Sequence, residues 1–454
     1  MRDTDGGTGH RTDSGAVAVV PRPCDPAPSQ GSVQRRCATA GHTAAMTNTA
    51  PVRPRSRRHP LIALLAAIAV LAVLGTACSS GDDAGAGAGS GSPTTTTSLP
   101  KSVPPVDGGP DDAAFEGPGP FDVGLTELSL PDRKVAVWYP AAKGAAEGRR
   151  PATYSQLDAL PPSLAAAAPS LLPADVPITA LTTTMTDTFA EAPPSTDGPF
   201  PLVLFSHGFG SYRLDASTLL RGIASWGFVV AAPEHIERDR AALVTNQVQR
   251  APEKDVQVLV ATIPLVVGAG GVLQGLTDGE KVAAVGHSAG GRAALSALSE
   301  PQVDVAVGWA AAGRADVPAP PKPSMNIAAK VDVLVPIEEI RSTYAGLLPP
   351  KRLVVIDGAG HNSFTDLCLS VRNGTDLVGI AKRVGFNLPD NLARGATDGC
   401  ESTAIDTKVG WQITQNFTVA ELRQSLGLDD SGTGLGQGVT KQFPVPIEYV
   451  QDLK

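Results

Sequence analysis

Residues 281–291, KVAAVGHSAGG, constrain this chain more than any other run. An uncharged stretch of Val and Ala leads into Gly286-His287-Ser288-Ala289-Gly290, and a helix-like stretch, GRAALSALSE, leads out. Strand, sharp turn and helix in so few residues lift a serine hydroxyl off the end of a sheet, and the flanking glycines let neighbouring backbone pass close by. Alone, G-x-S-x-G is a weak signal in a chain with 48 glycines among 454 residues. It gains weight from its surroundings. Short apolar runs at 135–139, 199–205, 228–232, 282–285, 303–309, 325–328 and 352–356 alternate with helix-like stretches at 216–226, 255–267, 292–298 and 337–347. This alternation predicts an α/β fold, a mostly parallel central sheet with helices on both faces. Residues 121–130 and 133–139, joined by Pro131-Asp132, predict an antiparallel hairpin. Residues 141–198, rich in Ala, Pro and Thr and weak in periodicity, read as a surface insertion.

A serine hydroxyl is a poor nucleophile at neutral pH and needs a base to take its proton. Only four histidines follow Cys78: His207, His235, His287 and His361. His287 lies inside the serine motif, where its backbone points it away from the hydroxyl, and His207 and His235 precede the motif. His361 follows it, in DGAGHN directly after the strand-like RLVVI, and is the candidate base. A carboxylate must orient that imidazole. Asp332, at the end of NIAAKVD, lies between Ser288 and His361 in the chain, with Asp316, Asp304 and Glu338 as rivals. Upstream, PFPLVLFSHGFG is a strand ending in a Gly-rich loop. Backbone N–H groups of Phe209 in that loop and of Ala289 after the serine are the candidate oxyanion donors.

The N-terminal region reads as a targeting segment. LIALLAAIAVLAVLG at 61–75 is an apolar run shorter than the ~20 residues of a spanning helix, and Arg53, Arg55, Arg57 and Arg58 precede it. The basic stretch, apolar run and small residues make a secretory signal. Its ending, LGTACSS, resembles that of bacterial lipoprotein signals and makes Cys78 the candidate lipidation site. Met46 is well placed as the start, so residues 1–45 read as a mis-assigned or removed extension and 46–77 as the signal. Residues 78–120, rich in Gly, Ala, Ser, Thr and Pro, read as a flexible tether, leaving 121–454 as the folded domain. The expected location is extracytoplasmic, held to the membrane by lipid, or secreted. Export favours pairing Cys368 with Cys400 as a disulfide.

Residues 121–370 resemble the α/β-hydrolase superfamily. More specifically they resemble the platelet-activating-factor acetylhydrolase group, with relatives among dienelactone-hydrolase-like and polyester-hydrolase-like proteins. The matching pieces are LFSHGFG at 204–210, VAAPEHIERD at 230–239, VGHSAGG at 285–291 and GAGHNSFTDLC at 358–368. The resemblance implies an α/β-hydrolase fold, Ser288 as nucleophile, His361 as base, and Phe209 and Ala289 as oxyanion donors. One departure stands out. In the animal acetylhydrolases the acid follows the strand after the nucleophile helix, where this chain reads VAVGWAAAGRAD with no Asp close behind the strand. The acid is therefore expected later, at Asp332, as in most bacterial members.

The expected function is hydrolysis of carboxylic esters, small-molecule, lipid or polyester, through an acyl-serine intermediate. A peptidase or perhydrolase with the same triad, and a non-catalytic binding lipoprotein on the same fold, are the alternatives. A net charge of −8 and only 4% aromatic residues argue against a nucleic-acid partner. No cluster with metal-ligand spacing is seen and no cofactor is expected. The pocket lining is expected from loops after the strands and from 141–198. Trp309, at a strand end near Ser288 and followed by Ala310, Ala311 and Ala312, is the candidate pocket wall. Without an evident lid segment, the pocket is expected to be small and to favour short to medium acyl chains of about two to eight carbons.

Overall fold

The computed structural model describes residues 103–313, 320–372, 377–383, 385 and 389–454. The extension, the signal, Cys78, the tether up to residue 102 and the rival acid Asp316 lie outside the described residues. The elements are β1 (Asp122–Leu130), β2 (Arg133–Ala141), β3 (Ala152–Ser155), α1 (Pro162–Leu171), β4 (Thr182–Met185), β5 (Thr188–Ala190), β6 (Phe200–Ser206), α2 (Ser217–Ser225), β7 (Val229–Pro233), α3 (Arg240–Val244) and α4 (Pro252–Val267). There follow β8 (Thr277–His287), α5 (Ala289–Ser296), β9 (Val305–Trp309), β10 (Ser324–Ala329), α6 (Ile337–Gly346), β11 (Lys351–Ile356), α7 (Leu367–Arg372), α8 (Leu377–Arg383), α9 (Asp390–Gly395), α10 (Thr407–Ser425) and β12 (Ile447–Asp452).

Ten strands form one sheet in the order β12-β11-β10-β9-β8-β6-β7-β2-β1-β5. The central six, from β11 to β7, are parallel to their neighbours. β12 pairs antiparallel with β11, and the β1–β2 hairpin docks antiparallel on β7. Every residue of β6, β7, β9, β10 and β11 is buried, which is why they read as near-continuous apolar runs rather than alternating ones. Alternate side chains feed two cores. Val203, Phe205, Val285, Val307 and Ile327 meet Ile223 of α2 and Phe417 of α10 on one face. Leu202, Leu204, Ala284 and Ala306 meet Leu259 of α4 and Ala294 of α5 on the other. This is the mostly parallel sheet, covered by helices on both faces, that the alternating pattern predicts, and it agrees with the α/β-hydrolase fold that the resemblance implies.

From β6 the chain first adds β7 on one side, then crosses back to add β8 on the other. The sheet order thus reverses at β6, and in such sheets ligands bind outside the carboxyl ends of the strands at the reversal. Ser206 pairs with Gly286 and His287 with Trp309. The loops that leave β6, β8 and β9 therefore start side by side.

Two segments differ from the sequence reading. Residues 103–120 were expected to belong to a flexible tether but pack on the domain. Phe115 is fully buried and meets Trp226 edge-on at 5.0 Å. Its N–H donates to Asn416 Oδ1 at 3.1 Å, and its carbonyl accepts from Gln415 Nε2 at 2.7 Å. One aromatic ring and two satisfied peptide groups outweigh the low-complexity composition around them. The insertion at 141–198 carries structure of its own. β3 and β4 pair antiparallel, α1 lies between them in the chain, and β5 extends the main sheet by pairing parallel with β1.

Candidate active site

Ser288 sits where β8 becomes α5, with φ 56° and ψ −121°. A non-glycine residue held at positive φ costs on the order of 1–3 kcal/mol and persists only where its surroundings impose it. Here they do. The Ser288 N–H donates to the Trp309 carbonyl at 2.8 Å, and the Ser288 carbonyl accepts from Arg292 N–H at 3.0 Å. The flanking glycines are steric necessities. A Cβ on Gly286 would lie 2.3 Å from the Gly290 carbonyl oxygen, and one on Gly290 would lie 2.0 Å from that of Ser206. The turn is thus wedged against the end of β6, while Ser288 itself stays partly exposed.

His361 and Asp332 are brought together from the ends of β11 and β10. His361 Nδ1 lies 2.7 Å from Asp332 Oδ2, with both residues buried. The other carboxylate oxygen of Asp332 accepts the N–H groups of Leu334 and Val335 at 2.8 Å each, so its orientation is fixed from both sides. The rival acids lie elsewhere. Asp304 accepts from Val282 N–H near the opposite end of the central strands, and Glu338 lies in the first turn of α6. The His361 ring is 4.8 Å from that of His287, whose Nε2 donates to the His361 carbonyl at 2.9 Å. Burial, then the neighbouring His361, pulls His287 down to about 3, so it holds the base loop as a neutral ring. Among the described residues, no hydrogen bond engages the Ser288 hydroxyl or His361 Nε2; such contacts are often loose before substrate binds.

The loop after β6 closes against this turn. A Cβ on Gly208 would lie 3.5 Å from Ser288 Cβ and 3.1 Å from His287 Nδ1. Ala289 is the first residue of α5, a position whose N–H has no acceptor within the helix. The Phe209 N–H is likewise bonded to no acceptor among the described residues, and its ring is exposed at the loop tip.

Sequence reasoning missed what fixes that loop. The buried guanidinium of Arg238 donates through Nη1 to the carbonyls of His207 and Gly208, the latter at 3.0 Å. Nη2 donates to Ser206 Oγ at 2.9 Å and Nε to Asp255 at 3.0 Å. The Arg238 carbonyl also accepts from Gly210 N–H at 2.8 Å. Asp398 was missed as well. Its Oδ2 accepts the N–H of His361 at 2.7 Å and of Val333 at 3.1 Å, tying the base loop to the acid loop. Arg238 lies within the motif 230–239, but nothing in one sequence marks which loop its fork reaches.

Trp309 needs correction. It was expected as a pocket wall, but its side chain is fully buried. The ring packs 5.6 Å from Phe205, and Nε1 donates to Thr418 Oγ1 at 3.0 Å. Helix α10 covers it, so no face is left for substrate. Its part in the site is its backbone carbonyl. Cys368 and Cys400 are joined in a disulfide, Cα atoms 4.8 Å apart, which links α7 to the loop after α9. A cavity of about 460 Å³ lies between the insertion and this C-terminal region. Gly210, next to Phe209, and Thr397, next to Asp398, are among its lining residues.

Residues 116–265 match the sequence profile of the family described as platelet-activating factor acetylhydrolase, isoform II. A platelet-activating factor acetylhydrolase from Cavia porcellus is 44% identical over 61 residues, which are 13% of this chain and 14% of the relative. The match thus spans about one seventh of that relative's length. Among solved structures, a ferulic acid esterase from Streptomyces cinnamoneus superposes with a TM-score of 0.49 at 22% identity, covering 68% of this chain and 90% of that one.

Proposed function

We propose that this chain, which has an α/β-hydrolase fold, hydrolyses carboxylic esters through an acyl intermediate on Ser288. The observation that carries the reading is the 2.7 Å contact between His361 Nδ1 and Asp332 Oδ2, beside a serine held at positive φ. Ser288 Oγ attacks the ester carbonyl as its proton passes to His361 Nε2, and the Asp332 carboxylate stabilises the imidazolium. The carbonyl oxygen becomes an oxyanion that accepts from the N–H groups of Phe209 and Ala289. Collapse breaks the C–O bond to the alcohol, which leaves with the proton from His361. Water, deprotonated by the same imidazole, then attacks the acyl-enzyme and releases the acid and free Ser288. The match to an acetylhydrolase family over 116–265 supports an ester as substrate.

The test is covalent labelling with a fluorophosphonate alongside turnover of a soluble nitrophenyl ester. The wild-type protein should do both and Ser288→Ala neither, with His361→Ala as slow as the double variant because triad members act as a unit. A folded wild-type protein that neither labels nor turns over ester is a binding module instead. The reading extends to location: an exported protein anchored by diacylglycerol on Cys78. The apolar run before that cysteine supports it, as does the Cys368–Cys400 disulfide, a bond of oxidising compartments. Cys78→Ala should release the protein into the medium or leave its precursor uncleaved.

A further inference from the structure

The 460 Å³ cavity falls in the range of drug-sized ligand sites, roughly 300–1,000 Å³. Its walls come from the insertion, from α3 and from the region between α7 and α9. Leucines dominate, among them Leu157, Leu160, Leu172, Leu181, Leu243 and Leu367, and no aromatic ring is present among the described lining residues. The charged and amide side chains of the lining are gathered together. Arg240 donates to Gln156 Oε1, and Arg240 Nε to the Gly210 carbonyl at 3.3 Å. That cluster adjoins Phe209, the candidate oxyanion donor. The lining also includes Thr397, whose neighbour Asp398 holds the His361 N–H. Through Gly210 and Thr397, each one residue from a group of the candidate site, the cavity adjoins both the oxyanion loop and the support of the base, and the rest of its described lining is mainly aliphatic.

We infer that this cavity binds a long unbranched aliphatic chain, so that the preferred substrates are esters carrying about ten or more carbons on one side. The inference rests on the esterase reading of the same site. It revises the expectation of a small pocket and short acyl chains. That expectation assumed no cap, whereas α1, α7 and α8 all contribute walls. The Cys368–Cys400 bond joins α7, whose Leu367 and Val371 line the cavity, to the loop after α9, whose Ala396 and Thr397 line it too.

Two series test it with the full chain below the micellar limit: p-nitrophenyl esters from acetate to palmitate, and alkyl acetates from ethyl to hexadecyl. Each methylene buried in such a wall is worth about three- to fourfold in kcat/KM. The expected result is a rise in one series through at least ten carbons. Leu160→Trp, which fills the cavity, should lower the ratio of dodecanoate to butyrate kcat/KM at least tenfold, or the dodecyl-to-butyl acetate ratio if the chain lies on the alcohol side. Maximal rates at two to four carbons in both series would overturn the inference, whatever the variant does. Binding of a fluorescent undecanoic acid to Ser288→Ala separates the two readings. A protein that binds this probe in competition with dodecanoate but hydrolyses no ester keeps the chain site and loses the esterase reading. One that hydrolyses short esters without binding the probe does the reverse.

Discussion

Arg238→Lys isolates the part played by the backbone behind the oxyanion loop. Arg238 is 5% exposed, and its fork reaches Asp255, Ser206 Oγ and the carbonyls of His207 and Gly208 together. An ammonium keeps the cation beside Asp255, but it has three donors at one point instead of five along a planar fork. It cannot hold the carboxylate and both carbonyls at once. Losing two charge-assisted bonds lowers stability by roughly 3 kcal/mol. The kinetic effect has a ceiling. Removing an oxyanion donor outright costs about 10²–10³ in kcat, and loosening the carbonyls on either side of Gly208 leaves the Phe209 N–H in place part of the time. A fall of about 10–100-fold in kcat is expected, with KM within about threefold, because the oxyanion contact forms in the transition state. The measurements are urea denaturation and steady-state kinetics on one soluble ester. A folded Arg238→Lys protein with kcat within twofold of wild type would refute the reasoning. So would a rise in KM alone, which would put Arg238 in substrate binding.

Asp332→Asn should cost about 10⁴ in kcat, as loss of an orienting carboxylate does elsewhere, whereas Asp398→Ala should cost only about tenfold because it supports the loops without contacting the imidazole; equal losses would reverse the assignment. Asp366 accepts from Tyr154 Oη at 3.0 Å and is pushed up to about 7 by burial, then by the neighbouring Asp215. A carboxyl raised on folding contributes most at low pH and loses that contribution as pH rises through its folded value. The melting temperature of wild type should therefore fall relative to Asp366→Asn between about pH 4 and pH 8, and parallel curves would contradict it. Gly290→Ala places a Cβ 2.0 Å from the Ser206 carbonyl oxygen, so it should not yield soluble protein of wild-type melting temperature; a stable, active variant would show that the turn can shift away from β6.

What was legible in the sequence is the part where one physical rule dominates. Buried parallel strands must be apolar on both faces, so β6 through β11 stood out as short runs of Val, Ala, Leu and Ile. The turn at Ser288 was legible because only glycine fits at 286 and 290. The hairpin of β1 and β2 was readable from a turn between two strand-like runs, and it pairs in register from Asp122 opposite Ala141 to Leu130 opposite Arg133. Asp332 and His361 were chosen by chain order and by strand ends. They meet because β10 and β11 are adjacent and parallel, which puts both strand ends at the same edge of the sheet.

The rest was hidden because polar groups do the packing there. Helix α10 carries TQNFTVAELR through its middle, and every one of these residues is buried. No apolar stripe marks it, since its partners are hydrogen bonds: Asn416 and Gln415 to the backbone at Phe115, Thr418 to Trp309, Glu421 to Arg352, and Arg423 to the carbonyls of Trp226 and Pro104. Each partner lies far away in the chain, so the pairing cannot be read locally. The misreadings of Phe115 and Trp309 both trace to this helix. Phe115 was assigned to the tether because its acceptors and donors sit about 300 residues later. Trp309 was assigned to the pocket because nothing in its own neighbourhood announces Thr418. A buried polar helix of this kind tolerates little, since losing one partner strands the other at a cost of about 1–3 kcal/mol. Helix α10 thereby holds the N-terminal segment and the strand beneath Ser288 in one register, a long-range constraint that only the folded chain displays.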